Sequence, residues 1–529
     1  MSHWNKDSVT LGLDQIARCR DDLLLELKHL LDDFHGWEKS AQYYAIIAGD
    51  WLEYFAHLTY AAMVEGLATG GSRPLNSPIP VSSDLAAHSW LRWNESGLHE
   101  HLREAVAGLL AGESPAAWRF SANSVQIVSG GTQSHTSRLL RSIATSQPEV
   151  LLVDPYFKCG RTETAATLFM WRRWAALDNL QYPIRLSATL DNKWRMNRAS
   201  SIGAPNDLLG VLRVLLPLHL PVALLEGFAA YRDATLAMPV KRPKIIYSAN
   251  ALHSQLTFKL LVAEWRDYGT RLLYHQHGGG YGVDRIHTPE EFESRVADRY
   301  FTWGWRDANN PRVQPLSPGA LHCPRAKRKH ILLSCADFPK VIYRLHFHPM
   351  PGTIQTMHWE TCAFLAALPD RKSLLVRPYS QDYGWGFTDM MRSSGPDAKF
   401  DDRRVSAFVR FAQSRLVVHN YLGTGYLETL ALNVPTICFY DADIYAFRHD
   451  ARILMDGLEK VGILHRSGKA AARFVAGLHD DPEGWWMKPE VQEARNRFVE
   501  QYANYSPDWK TQWEAEFRRA IDQDSEIAV

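Results

Sequence analysis

The sequence predicts an α/β protein: two Rossmann-like domains facing a cleft, with an α-helical N-terminal extension. Three observations carry this. The 529 residues suffice for two or three cores at roughly 100–200 residues per domain. From about residue 148, short apolar runs without polar alternation, the mark of strands covered on both faces, alternate with helical stretches. A Pro-rich, basic segment, Arg306 to Arg328, then separates one group of runs from the next and reads as an interdomain linker.

Taken in order, Leu13, Ile16, Leu23, Leu24, Leu27, Leu30 and Leu31 fall at spacings of three and four, predicting an amphipathic helix over Leu11 to Phe34. A second helix is read from about Glu38 to Leu67, and the Gly, Pro and Ser of Ala68 to Pro80 predict a loop. Strands are expected at Val150–Val153, Lys244–Tyr247, Arg271–His275, Arg299–Trp303, His330–Ser334, Ser373–Val376, Arg415–His419 and Pro435–Tyr440. Leu208 to Phe228 is the most apolar stretch; Arg213, Pro217, His219, Pro221 and Glu226 interrupt it, so it reads as a buried helix followed by another element. The chain divides into residues 1–325 (helical over 1–68, α/β from about 148), 326–482, and 483–529, a C-terminal helix near Gln492 to Ala520 that crosses back to the first domain.

Lys plus Arg number 59 against 58 Asp plus Glu, which disfavours a nucleic-acid binder steered by overall charge. The six cysteines, at positions 19, 159, 323, 335, 362 and 438, form no CxxC pair, as expected of a reducing compartment. The polar N-terminus lacks a secretory signal pattern, so a cytoplasmic protein is expected. The supply of 18 Trp, 21 Tyr, 21 Phe and 22 His hints at polar ring-shaped ligands such as sugars or nucleotides.

Three segments carry chemistry, each directly after an expected strand. In Leu416 to Tyr440 a strand ends at His419 and Asn420. Gly423 and Gly425 then let backbone N–H groups approach an anion, Thr424 adds a hydroxyl, and a helix begins near Tyr426 and Glu428. A phosphate site and an ordinary tight turn both fit this pattern. In LLYHQHGGGYG (Leu272 to Gly282), His275, Gln276 and His277 precede Gly278, Gly279, Gly280 and Tyr281, giving donors and a proton acceptor beside a permissive backbone. Two His at a spacing of two, with no clustered Cys or carboxylate, give no convincing metal pattern, and no metal is expected. In LVRPYSQDYGWGF (Leu375 to Phe387), Arg377 suits phosphate or carboxylate, Asp382 could orient it, and Tyr379, Tyr383 and Trp385 could stack on a base or sugar. His348, followed by Pro349, is a weaker anion candidate. No GxxxxGK[ST] loop, completed GxGxxG fingerprint or GxSxG elbow is present.

Two tandem Rossmann-like domains, each with a Gly-rich loop, match the glycosyltransferase B architecture. Six stretches together resemble a family of transferases from bacterial surface-polysaccharide (O-antigen or capsule) loci associated with nonulosonic acids: YYAIIAGDWLEYFAHLTY (Tyr43 to Tyr60), QHGGGYG, YFTWGW (Tyr300 to Trp305), VRPYSQDYGW, VVHNYLGTGYLETLALNVPTICFYD (Val417 to Asp441) and GWW (Gly484 to Trp486). Asp50 stands where that pattern has Pro, and inherits no role. The resemblance implies an acceptor-side N-terminal domain, a nucleotide-sugar-binding C-terminal domain, and transfer of a Kdo-type or nonulosonic keto-sugar acid, such as pseudaminic acid, from a CMP-activated donor. The partners implied are a nucleotide-sugar donor and a lipid-linked or polysaccharide acceptor, with peripheral contact at the cytoplasmic face of the inner membrane left open. No cofactor is implied beyond the CMP-sugar substrate. On this resemblance Asn420 to Tyr426 hold the phosphate, Glu428 contacts the nucleoside or caps its helix, and Arg377 pairs with phosphate or the donor carboxylate. His277 is the first choice for a base and Asp284 the second; Asp284, Asp154 and Asp50 are the candidates for a nucleophile. A polyol-phosphate transferase or nucleotide-sugar epimerase of the same architecture, or a non-enzymatic polysaccharide-binding protein, are the alternatives.

Overall fold

A computed structural model describes residues 4–69, 77–83, 97–131, 145–322, 326–478 and 481–527. Cys323 and most of the loop read at Ala68 to Pro80 lie outside them. The first helix, α1 (Lys6–His35), buries the three-and-four stripe that includes Leu13, Ile16, Leu23 and Leu27. A capping box starts it: the Asn5 side chain accepts from the Ser8 N–H while the Ser8 hydroxyl accepts from the Asn5 N–H. Gly36, at φ 67°, ends it in the left-handed conformation. The second helix, α2 (Ala41–Thr69), is buried without interruption from Tyr43 to Ala62. Such a helix needs partners on every side. Its buried polar residues are matched accordingly, Asp50 by Lys259 and Glu53 by Arg20.

The strands are β1 (Ser124–Ser129), β2 (Val150–Leu152), β3 (Ala175–Leu177), β4 (Ile184–Thr189), β5 (Ile245–Ser248), β6 (Arg271–His275), β7 (Arg299–Thr302), β8 (Val313–Pro315), β9 (His330–Ser334), β10 (Leu374–Arg377), β11 (Lys399–Phe400), β12 (Ser414–His419), β13 (Thr436–Phe439) and β14 (Leu464–His465). All eight runs read as strands are strands. One six-stranded sheet has the order β3-β2-β5-β6-β7-β8 and the other β11-β10-β9-β12-β13-β14, while β1 and β4 form a separate antiparallel pair. Every ladder in the two large sheets is parallel. Mixed α/β architecture with two parallel sheets is therefore the fold. Runs such as Ile245 to Ser248 and Thr436 to Phe439 are buried at each position, which explains their lack of polar alternation.

The segment Arg306 to Arg328 is more than the linker its composition suggests. Val313 to Pro315 form β8, paired in register with Tyr300 to Thr302. Proline is tolerated there because an edge strand has one side free of ladder bonds. The stretch Leu208 to Phe228 gives a buried helix, Leu208–His219, and the start of another, Phe228–Leu236. Among the described residues no helix is long and apolar enough to cross a membrane.

The C-terminal helix Trp509–Ile527 covers one face of the first sheet. Trp509, Trp513 and Phe517 are fully buried against Val150, Leu152, Ile245 and Phe301. The Trp513 indole N–H donates to the Ser317 carbonyl at 2.8 Å. Trp513→Ala should therefore destabilise the chain by about 3–5 kcal/mol through cavity formation and a lost hydrogen bond, read as a lower urea midpoint; an unchanged midpoint would exclude this helix as a structural element of the first sheet.

Candidate active site

In the second sheet the chain order reverses between β9 and β12, the switch point at which open α/β sheets bind ligands. A cavity of about 310 Å³ lies there, lined among others by Ala336, Arg377, Arg403, Tyr421, Thr424 and Glu428. The turn after β12 is built from within. The Asn420 side chain accepts from the Ala336 N–H at 2.7 Å and donates to Thr361 at 3.2 Å, and buried His419 meets the Thr429 hydroxyl at 3.1 Å. Burial holds His419 down at about 3, so it is neutral. His419 and Asn420 thus shape the turn, His419 also lining the cavity, while Thr424 and Gly425 open the helix Thr424–Ala431 toward it. Tyr426 is buried against Phe498.

Arg377 reaches the cavity but is already paired with Asp401, which also receives Arg410 at 2.7 Å. Asp401, rather than Asp382, orients it; Asp382 is exposed and accepts the Gly384 N–H at 2.7 Å in a local turn. Two guanidiniums sharing one carboxylate leave the wall cationic. They also hold Asp401 below the usual carboxylate range against the opposing effect of burial. Tyr379 and Tyr383 stack at 6.1 Å, with Tyr379 43% exposed and free to receive a ring. Trp385 instead packs on His358 and donates to the Phe338 carbonyl at 2.8 Å, which commits it to its own domain.

The loop after β6 packs against the turn that opens this cavity. The Gly279 N–H donates to the Thr424 hydroxyl at 3.0 Å, and a Cβ on Gly279 would lie 2.9 Å from the Gly423 carbonyl carbon. The two Gly-rich loops therefore touch backbone to backbone. Lys158 and Glu428 bridge the same interface at 3.1 Å. Gly280 takes φ 90°, which favours glycine. His275 and Gln276 are not at the cleft: His275 is buried under Trp513, and Gln276 holds the indoles of Trp303 and Trp305 at 3.0 Å each. A strand end must anchor itself before it can present a loop.

His277 remains 29% exposed in its side chain. Its Nδ1 lies 3.1 Å from the Tyr281 hydroxyl and 3.5 Å from Glu293 Oε1. Glu293 is fully buried and also engages Tyr281 at 2.9 Å, Tyr300 at 2.8 Å and His253 at 2.5 Å. Burial pushes Glu293 up to about 7 and holds His277 down at about 4. Asp284 is buried, held well above the usual carboxylate range by burial, with His348 Nε2 at 3.4 Å from its Oδ2. The other two carboxylates are elsewhere engaged. Asp50 is paired with buried Lys259, and Asp154, at φ 43° after β2, accepts from Gln255 at 2.7 Å. Two groups, His253–His277–Glu293 and Asp284–His287–His348, bring potential metal-ligating atoms within 4.8 Å of one another, assembled from distant segments that spacing could not join.

A family model described as LIC12162 family transferase matches residues 2–517. The chain belongs to that family. No curated protein matches the sequence. Among solved structures, a mutant of Thermobaculum terrenum O-GlcNAc transferase shares 13% identity over 97% of this chain and 99% of that one, with a TM-score of 0.39. Acinetobacter baumannii MurG shares 10% identity over 70% of this chain and 99% of that one, at 0.36. TarM shares 10% over 55% of this chain and 58% of that one, at 0.36, so the chain spans little more than half of TarM's length. Likenesses this distant bear on neither donor nor acceptor.

In this LIC12162 family transferase, reading the sequence singled out His277 but missed Glu293, His253, Asp401 and Arg403. Arg403 donates to the Tyr379 carbonyl at 2.8 Å from the cavity wall. Glu293 sits inside an ordinary amphipathic helix, Thr288–Val296, and nothing local marks its role. Since the Gly279 Cβ position is bounded by backbone, Gly279→Ala must push the two loops apart. The expected outcome is a loss of about 1–3 kcal/mol in chemical denaturation; wild-type stability would mean the loops are not in contact.

Proposed function

We propose that this transferase is a glycosyltransferase that moves a Kdo-type or nonulosonic keto-sugar acid, pseudaminic acid for example, from a CMP-activated donor to a surface-polysaccharide or lipid-linked acceptor. The observation that carries the reading is the cavity at the second sheet's switch point, with its cationic wall and helix N-terminus, whose turn touches the loop that carries His277. The donor's phosphate would lie on the amides at Gly423 to Gly425, where the helix dipole and the Arg377–Arg403 wall offset its charge. The nucleoside ring would stack near Tyr379. His277, kept neutral by desolvation though partly exposed, accepts the proton of the attacking acceptor hydroxyl; its Nδ1–H is oriented by the Tyr281 hydroxyl with Glu293 behind it, leaving Nε2 as the acceptor.

Incubation with CMP-pseudaminic, CMP-legionaminic, CMP-Kdo and CMP-sialic acids and an acceptor polysaccharide should release CMP with at least one donor, and in a CMP, CDP, UDP and GDP panel CMP should raise the melting temperature most. Nucleotide binding without turnover of any of the four donors would overturn the assignment. His277→Ala should lower turnover roughly 100- to 10,000-fold with CMP affinity intact.

A pH profile reports the pair directly. Glu293 and His277 titrate as one coupled pair, the carboxylate taking its proton near 7 and the imidazole near 4. Glu293→Gln removes the upper titration and should move the acid limb of kcat/KM to lower pH; an unmoved limb would remove Glu293 as the partner of the base.

A further inference from the structure

Arg344, which is half-buried, differs from other buried or half-buried cations of the chain. Arg20, Lys259 and Arg448 each meet a carboxylate. Arg344 meets no carboxylate: its guanidinium lies 5.4 Å over the Tyr343 ring and donates to the Tyr54 hydroxyl at 3.4 Å, and its Nε is buried without a hydrogen-bond partner. An uncompensated guanidinium is costly to bury, so its retention calls for a counter-charge that arrives with a ligand. The nearby carboxylates do not supply one. Glu293 is taken by His253, Tyr281 and Tyr300, and Asp284 faces His348; burial raises the pKa of both, favouring the neutral acids.

The surroundings are neutral donors, and Glu53, the ionised carboxylate that acts on His57, is held by Arg20 and Arg295. From α2, His57 Nδ1 accepts the Leu345 N–H at 2.8 Å, which pins the segment bearing Arg344 and leaves the proton of neutral His57 on Nε2. That Nε2 is buried without a partner, as are Nδ1 of His346 and Nδ1 of His348, and all three rings lie within reach of the Arg344 charge. Tyr421, which lines the cavity after β12, feels the same charge, so this cluster adjoins the proposed donor pocket without being part of its Arg377 wall. His277 feels it too.

We infer that Arg344, with His57, His346 and His348, forms a second anion subsite that holds a carboxylate or phosphate group of the substrate beside His277. The inference rests on the cleft being a substrate site. A planar guanidinium suits a planar carboxylate through two parallel hydrogen bonds, and neutral imidazole N–H groups can complete the shell without adding charge.

The test is binding, which does not depend on turnover of any CMP-sugar. The full chain and its Arg344→Gln and Arg344→Lys variants are titrated calorimetrically with N-acetylneuraminic acid, its methyl ester, inorganic phosphate and CMP. If the anion is the sugar's carboxylate, the acid binds wild type, the ester does not, Arg344→Gln weakens the acid at least tenfold, Arg344→Lys weakens it less, and CMP is unaffected. If the anion is phosphate, the tenfold loss falls on phosphate and CMP instead. Either pattern supports the subsite and names its source. Arg344→Gln should also melt at a higher temperature without ligand, because it removes a half-buried charge that no carboxylate meets. Wild-type affinity for every probe in both variants, no anion binding by the wild type, or a melting temperature lowered in Arg344→Gln would overturn the subsite. Absence of CMP-sugar turnover with these binding patterns intact would count against the proposed reaction alone.

Discussion

Everything about the site depends on the backbone contact between the loop after β6 and the turn after β12. Two parallel sheets direct the carboxyl ends of their strands into one crevice, and the Gly279 N–H on the Thr424 hydroxyl sets how close they come. A side chain at Gly279 would hold the walls apart. Beside this contact, Lys158–Glu428 and the pairing of Asp284 with Phe447 join the two halves. α2 reaches across both, with Asp50 bonded into the first half and His57 into the second. What reads in sequence as a helical extension is in the fold the member that ties the two sheets together.

Closing the crevice in this way removes water from a dense set of titratable groups, and desolvation then sets their chemistry. It outweighs every other influence on His277, which stays neutral, and on Glu293, which rises into the neutral range. The same burial makes Arg377 and Arg344 behave differently. Arg377 shares Asp401 with Arg410 and is held in a fixed pose, whereas Arg344 has no such partner and so is available to a ligand. Two sites of positive potential, one at a helix N-terminus and one beneath the histidines, give the cleft a local field that the near-zero net charge of the chain does not reveal.

The α/β class, the eight principal strands and the three loops at strand ends were legible in the linear chain. Burial on both faces writes continuous apolar runs, and glycine marks where backbone must approach backbone. The four strands at the edges of the two large sheets, β3, β8, β11 and β14, span two or three residues each and were not, because so short a segment carries no period. Within the loops, residue type alone could not separate a side chain that builds a turn from one that faces a ligand. His419, Asn420, Gln276 and Trp385 have the chemistry of binding residues, yet their hydrogen bonds are spent on their own surroundings.

By itself the sequence determined the fold class and the positions of the Gly-rich turns, since these follow from local patterning. Only the tertiary structure decided that Glu293 stands behind His277, that Asp401 holds Arg377, and that Arg344 is left without a carboxylate. Each of these is a relation between segments far apart in the chain, created when desolvated groups must find partners or go without, and no spacing along one segment records it.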